Sequence, residues 1–141
     1  MNHSWGSMTQ QELQKKFLNE IEKEYDICLP KKVNVMGKKI GIVYSTSDHF
    51  GDLETNFGIY SHYEHQILID IGDWLTADNT RARFCELENI KATIRHEIIH
   101  AFFASCGLML QCEYANNEEL VDWIANQLPA MFKTVPRVVL E

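Results

Sequence analysis

Ile90-Lys91-Ala92-Thr93-Ile94-Arg95-His96-Glu97-Ile98-Ile99-His100-Ala101-Phe102-Phe103 is the stretch on which the reading of this chain turns. Apolar residues at Phe84, Leu87, Ile90, Ile94, Ile98 and Phe102 recur at helical spacing, which predicts a long helix over 80–105, in one piece or two. Gly107 is placed to end it, because glycine accepts the left-handed conformation of a helix stop. His96 and His100 lie four apart, so their imidazoles leave one face of the helix and can grip one metal ion. Ile94, Ile98, Ile99, Phe102 and Phe103 make the helix too apolar to be a surface one. Histidines in such a helix need polar partners or a metal.

Glu97 completes the pattern H-E-x-x-H, the signature of zinc hydrolases, usually metalloproteases. Such a site takes three protein ligands and leaves a position open for water. Two are His96 and His100. For the third, the segment from Asn117 to Ala125 stands out, since Glu118 follows His100 by 18 residues, far enough for a turn and a returning helix. Glu118 and Asp122 are four apart and share a side. One carboxylate can ligate zinc while the other accepts a hydrogen bond from a ligand histidine and sets its tautomer. Glu119 is adjacent, and a one-residue change in helix phase would exchange its role with that of Glu118. The phase favours Glu118: Leu120, Ile124 and Leu128 mark the buried face, and Glu118 shares its side with Asp122 and Val121. His49, His62 and His65 are set aside as ligands. None sits at the spacing H-E-x-x-H-x-x-G-x-x-H, where this chain has Cys106.

His96-Glu97-x-x-His100 followed by Glu118-x-x-x-Asp122 resembles the gluzincin pattern of thermolysin-type peptidases. The resemblance implies Glu118 as third ligand and Asp122 as the partner of a ligand histidine. The run from Glu118 to Ala125 also resembles the E-x-E-A-[ND]-x-F-A segment of ImmA/IrrE-type metallopeptidases, small cytosolic zincins often carried on mobile elements. Val121 stands where those families prefer alanine, and Trp123-Ile124 replaces x-Phe. The likeness covers about residues 57–132, and the whole chain looks most like a small phage-type metallopeptidase. It implies hydrolysis of peptide bonds by a zinc-activated water with Glu97 as general base. Tyr60, His65 and Tyr114 are candidates for steadying the oxyanion.

The rest of the chain gives the site a scaffold. Thr9-x-x-Glu12 is a capping box, and Leu13, Phe17, Leu18 and Ile21 continue it as a helix to Tyr25, with Pro30 closing the region. Residues 33–44 are rich in β-branched side chains, with a turn at Met36-Gly37-Lys38. A polar loop over 45–56 follows and is expected to be the mobile element. Residues 57–63 and 65–71 read as strands around a turn at 62–64. Either could offer an edge to a peptide, with Gly58 and Tyr60 near the cleft. Asn116-Asn117 would cap a last helix from Glu118 to about Phe132, its apolar face being Leu120, Val121, Ile124, Leu128 and Met131. The expected fold is α+β: a minimal zincin-like arrangement of an N-terminal helix, a small antiparallel-rich sheet, the active helix and a C-terminal helix bearing the third ligand.

The 141 residues suffice for one domain with a proper core, expected over 8–141. Gly6-Ser7-Met8 looks like a cloning scar, so residues 1–7, His3 included, are left out of the functional reading. The net charge of −7 and the lack of a basic run argue against a nucleic-acid binder. Lys31-Lys32 and Lys38-Lys39 read as a solvated hairpin edge. No apolar run approaches a membrane span and no signal-peptide core is present, so a cytoplasmic protein with a peptide or protein substrate and no membrane partner is expected. None of Cys28, Cys85, Cys106 and Cys112 forms C-x-x-C, and Cys85 and Cys106 are expected as buried thiols. Three rivals stand beside the peptidase: a zinc-containing regulatory or adaptor protein on the same scaffold, a hydrolase of small amides, and a structural protein whose helix pair merely folds.

Overall fold

A computed structural model describes the backbone of residues 7–108 and 113–140. Helix α1 (Gln10–Tyr25) begins at the expected capping box. The Glu12 N–H donates to Thr9 Oγ1 at 3.2 Å, and the Thr9 N–H donates back to Glu12 Oε1 at 3.3 Å. One face of α1 buries Leu13, Phe17 and Ile21. Phe17 meets the edge of Trp74 and lies 5.4 Å from the Tyr44 ring, centroid to centroid.

Strands β1 (Lys32–Val35) and β2 (Lys38–Ser45) form the hairpin read from the sequence. Its two loop residues, Met36 and Gly37, have φ of 51° and 86°, the doubly left-handed conformation that suits the twist of a tight hairpin. After a short 3-10 turn (Gly51–Glu54) come β3 (Gly58–Ser61) and β4 (Gln66–Asp70). The sheet order is β1-β2-β4-β3. Its two outer pairs are antiparallel, but β2 and β4 run parallel, with Ile42 beside Ile67. The sheet is antiparallel-rich, as expected, and mixed through the β2–β4 pairing that the sequence did not foretell. The β3–β4 hairpin enters with its second strand innermost, which leaves β3 as the outer edge.

Ile40, Ile42 and Tyr44 of β2 and Ile67 and Ile69 of β4 point into one core shared with Leu13, Phe17, Ile21, Leu87, Ile90 and Ile94. The first turns of α1 also bond to β2, where Gln14 Oε1 accepts from the Tyr44 N–H and Gln10 Nε2 donates to the Tyr44 carbonyl, both at 2.9 Å. A short α2 (Gly72–Thr76) buries Trp74. Helix α3 (Thr80–Ser105) is unbroken, capped by Asn79 Oδ1 on the Ala82 N–H at 2.8 Å, and Gly107 follows it with φ 78°. Helix α4 (Glu118–Thr134) lies against α3, and α5 (Arg137–Leu140) ends the described chain. The fold class is α+β, as expected.

Three expectations about burial are corrected. The stripe of α3 that faces the sheet runs Leu87, Ile90, Ile94, Glu97, Ala101, so Ile98 is only half-buried and Phe84 and Phe102 are exposed. On α4 the buried residues are Val121 and Ala125, packed on Ile99 and Phe103, whereas Leu120, Ile124 and Leu128 are only half-buried and Met131 is exposed. Cys85 and Cys106 are exposed rather than buried. Cys85 lies off the buried stripe, and Cys106 stands just past the end of α3, its Sγ 3.3 Å from Met36 Sδ. Cys112 is outside the described residues. No helix among the described residues is long and apolar enough to cross a membrane.

Candidate metal centre

His96, Glu97 and His100 sit on α3 where it passes from the edge of the sheet to α4. Glu97 takes a position on the buried stripe and is 5% exposed. His96 and His100 turn toward α4, their rings 4.9 Å apart between centroids. Helix α4 starts at Asn117, whose Oδ1 accepts the Leu120 N–H at 2.9 Å. That cap sets Glu118 in the first turn, over the histidines.

Glu118 meets both imidazoles. Its Oε2 lies 2.7 Å from His96 Nε2 and its Oε1 lies 3.0 Å from His100 Nε2. One ligating atom from each of His96, His100 and Glu118 falls within 4.8 Å of the others, and among the described residues they are the one such group. Glu119 lines the same cleft but is not part of that group. Asp122 Oδ1 lies 3.2 Å from His96 Nδ1. His49, His62 and His65 stay apart from the group. His65 sits in the β3–β4 turn with φ 51° and is exposed, whereas Tyr60 lines the cleft, its hydroxyl 3.0 Å from His62 Nδ1. The side chain of Tyr114 is outside the described residues.

The donor set fits a cation on chemical grounds. His96 meets Asp122 through Nδ1 and Glu118 through Nε2 at 2.7 Å, a hydrogen-bond contact that needs a proton between the two atoms. A cation can stand in for that proton, with the same two atoms as its ligands. Tetrahedral zinc, with bonds of about 2.0–2.1 Å, separates its ligand atoms by roughly 3.3 Å, a few tenths of an ångström wider than these contacts. Two imidazoles and a carboxylate are the ligand set of a catalytic zinc that keeps one position open.

Charge and burial act together here. Burial is the main force on Glu97. It outweighs the attraction of His96 and, with repulsion from Glu118, raises the carboxyl from 4.5 to about 7, while the backbone amide of Tyr60 works the other way. Burial lowers the pKa of His100, against the pull of Glu118. For Glu118, burial opposes the charge, but His100 and His96 overcome it by charge and hydrogen bonds and hold the carboxyl below its usual range.

The group opens into a cleft of about 1230 Å³ between β3, α3 and α4. Gly58 and Tyr60 of β3 line it, as the sequence suggested. Its lining is rich in carboxylates, among them Asp52, Asp70, Asp73, Glu86, Glu119 and Asp122, and no Lys or Arg among the described residues joins them. Burial raises the pKa of Asp70, in part against the Gly72 N–H that it accepts at 2.9 Å.

Sequence reasoning missed the device that ties α4 to α3. Pro129 lies inside α4 and has no N–H, so the Ala125 carbonyl loses its helical donor. Arg95 Nε reaches across from α3 and donates to that carbonyl at 3.0 Å. Pro129 was the available signal, since a proline inside a helical pattern implies an orphaned carbonyl four residues earlier. A scan against protein-family models, a search of curated proteins and a search of solved structures each returned no match.

Proposed function

We propose that this chain is a zinc-dependent hydrolase on a minimal zincin-like scaffold, cleaving peptide bonds as a small metallopeptidase. The observation that supports it most is the convergence of His96, His100 and the Glu118 carboxylate beside a buried Glu97 whose pKa stands at about 7. His96 Nε2, His100 Nε2 and Glu118 would hold the metal, and Asp122 would keep the proton of His96 on Nδ1. Zinc held there supplies Lewis acidity toward a carbonyl oxygen and acidifies water.

Glu97 carries the proton work. In the metal-free protein burial raises this carboxyl to about 7, and a cation held beside it would favour the carboxylate, the form that acts as a base. Its Oε2 is 3.9 Å from His96 Nε2, so it stands at the zinc-holding group without being part of it. In that position the carboxylate can take a proton from water and pass it to a leaving amine.

The test combines elemental analysis with a diverse peptide library. Wild type should carry about one zinc per chain and yield products that a chelator suppresses. Glu97→Gln should keep the zinc and yield none, because an amide cannot act as a base. Zinc retained at full occupancy in the His96→Ala/His100→Ala double variant would remove the metal assignment. Zinc bound with no turnover in wild type would transfer the proposal to the regulatory or adaptor reading.

A further inference from the structure

We infer that Gly58 and the backbone amide of Tyr60, both on the edge strand β3, are the positioning elements that hold the Glu97 carboxylate in place, an inference that rests on the hydrolase reading above. The Asp70 N–H donates to the Phe57 carbonyl at 2.8 Å, so residues 57 and 70 form a hydrogen-bonded pair. In an antiparallel ladder such pairs alternate with unbonded ones. Ile59 and Ser61 therefore turn their backbone groups toward β4, while Gly58 and Tyr60 turn theirs out to the open edge. Glu97 comes to that edge from α3, where its carboxylate accepts the outward-facing Tyr60 N–H.

Gly58 is what lets the helix come so close. A Cβ there would lie 2.5 Å from Thr93 Cγ2, 3.1 Å from Glu97 Cγ and 3.4 Å from Glu97 Oε2. The first contact is closer than carbon atoms tolerate, and the second would push the base itself. A glutamate on a helix has three rotatable bonds and little to fix its carboxylate. Packing on bare backbone on one side, with an edge amide at the oxygen, supplies that restraint. Misplacement of a reacting group by about 1 Å can cost on the order of 100-fold in rate.

The alternative is that Gly58 only makes room for α3, and Thr93→Ser separates the two. Serine keeps the bond from Oγ1 to the Asn89 carbonyl but lacks the methyl that the Cβ added by Gly58→Ala would strike. Zinc-loaded Gly58→Ala/Thr93→Ser, with Thr93→Ser alone as control, should regain most of the stability lost in Gly58→Ala and bind zinc at wild-type stoichiometry. Its kcat should still fall about 10- to 100-fold with KM unchanged, and the Tyr60 amide should exchange its proton at least about 10-fold faster than in wild type. Recovery of kcat and of Tyr60 protection together with stability would overturn the inference. Should the double variant not fold, or should zinc-loaded wild type turn over nothing, amide exchange decides by itself. A Tyr60 amide protected in wild type and released in Glu97→Ala supports the inference even if the hydrolase reading falls, and one that is unprotected in wild type overturns it.

Discussion

Glu97 is a carboxylic acid on a stripe that is otherwise apolar, and its protonation should be visible in stability. In the metal-free protein it stays protonated to about pH 7, whereas its ordinary value is 4.5. Between those values the folded chain binds more protons than the unfolded one, so this group's contribution falls as pH rises. His100, lowered by burial, acts oppositely and costs stability as pH falls through its ordinary 6.5. Glu97→Gln removes only the first effect. In chelator, the stability advantage of Glu97→Gln over wild type should grow by on the order of 3 kcal/mol from about pH 4.5 to about 7.5. A pH-independent difference in urea denaturation would contradict the burial of a titrating Glu97. Glu118→Ala should lower zinc affinity more than Glu119→Ala, because Glu118 alone of the two reaches both imidazoles. Asp122→Ala should weaken it by about 10- to 100-fold through loss of the His96 tautomer. Isothermal titration with zinc checks both, and a larger loss in Glu119→Ala would move the third ligand by one residue. The histidines and Glu97 were legible as a motif. The choice between Glu118 and Glu119 rested on helix phase, and Leu120, Ile124 and Leu128, taken there as the buried face, are only half-buried. Val121 and Ala125 mark the true face.

Helix α4 depends on a local cap and on one bond from α3. Asn117→Ala removes the cap from the turn that presents Glu118, at a cost of about 1 kcal/mol. Zinc affinity should fall in parallel, since a frayed first turn no longer holds Glu118 over His96 and His100. An unchanged affinity would show that α3 alone organises the site. The second device is the bond from Arg95 to the carbonyl that Pro129 leaves free. Arg95→Met should cost about 1–3 kcal/mol by leaving that buried acceptor unsatisfied. Pro129→Ala restores a helical donor, so in that background the same change should cost much less. A double-mutant cycle measures the coupling, and additive effects would deny the link. Local chemistry made most elements readable: the Thr9 capping box, the Met36-Gly37 turn, the helical rhythm of α3 and the Asn117 cap each act within a few residues. The stripe of α3 was read one position off at its C-terminal half. Ile98 and Phe102 fit the rhythm as well as Glu97 and Ala101 do, and only contact with β3 and α4 selects between them.

The molecule as a whole joins a sheet edge, a buried helix and a returning helix at one point. On the proposed reading a zinc ion would bridge α3 and α4 in the folded state alone, so thermal stability should rise with free zinc, by about 2.7 kcal/mol at roughly 100 times Kd. Glu118→Ala should abolish most of that shift, and should lower the metal-free melting temperature only modestly, because it loses contacts to two imidazoles from a side chain that is 69% exposed. The carboxylate lining of the cleft, with no Lys or Arg among the described residues beside it, should repel acidic peptides. Library products should be poor in Asp and Glu around the cut and richer in Lys and Arg, and the bias should shrink in high salt. Acidic cut sites at low salt would contradict that field. By itself the sequence determined most of the elements, the candidate metal-ligand pair His96 and His100, the neighbouring Glu97 and the short list of Glu118, Glu119 and Asp122, because each of these depends on spacing along one helix or on a cap or turn a few residues long. Tertiary structure alone decided that β4 lies parallel to β2, that β3 is therefore the edge beside Glu97, that Glu118 and not Glu119 meets the imidazoles, and that Arg95 answers Pro129. Those are contacts between residues far apart in the chain, as His96 and Glu118 are, and no local periodicity encodes which of several compatible faces will meet.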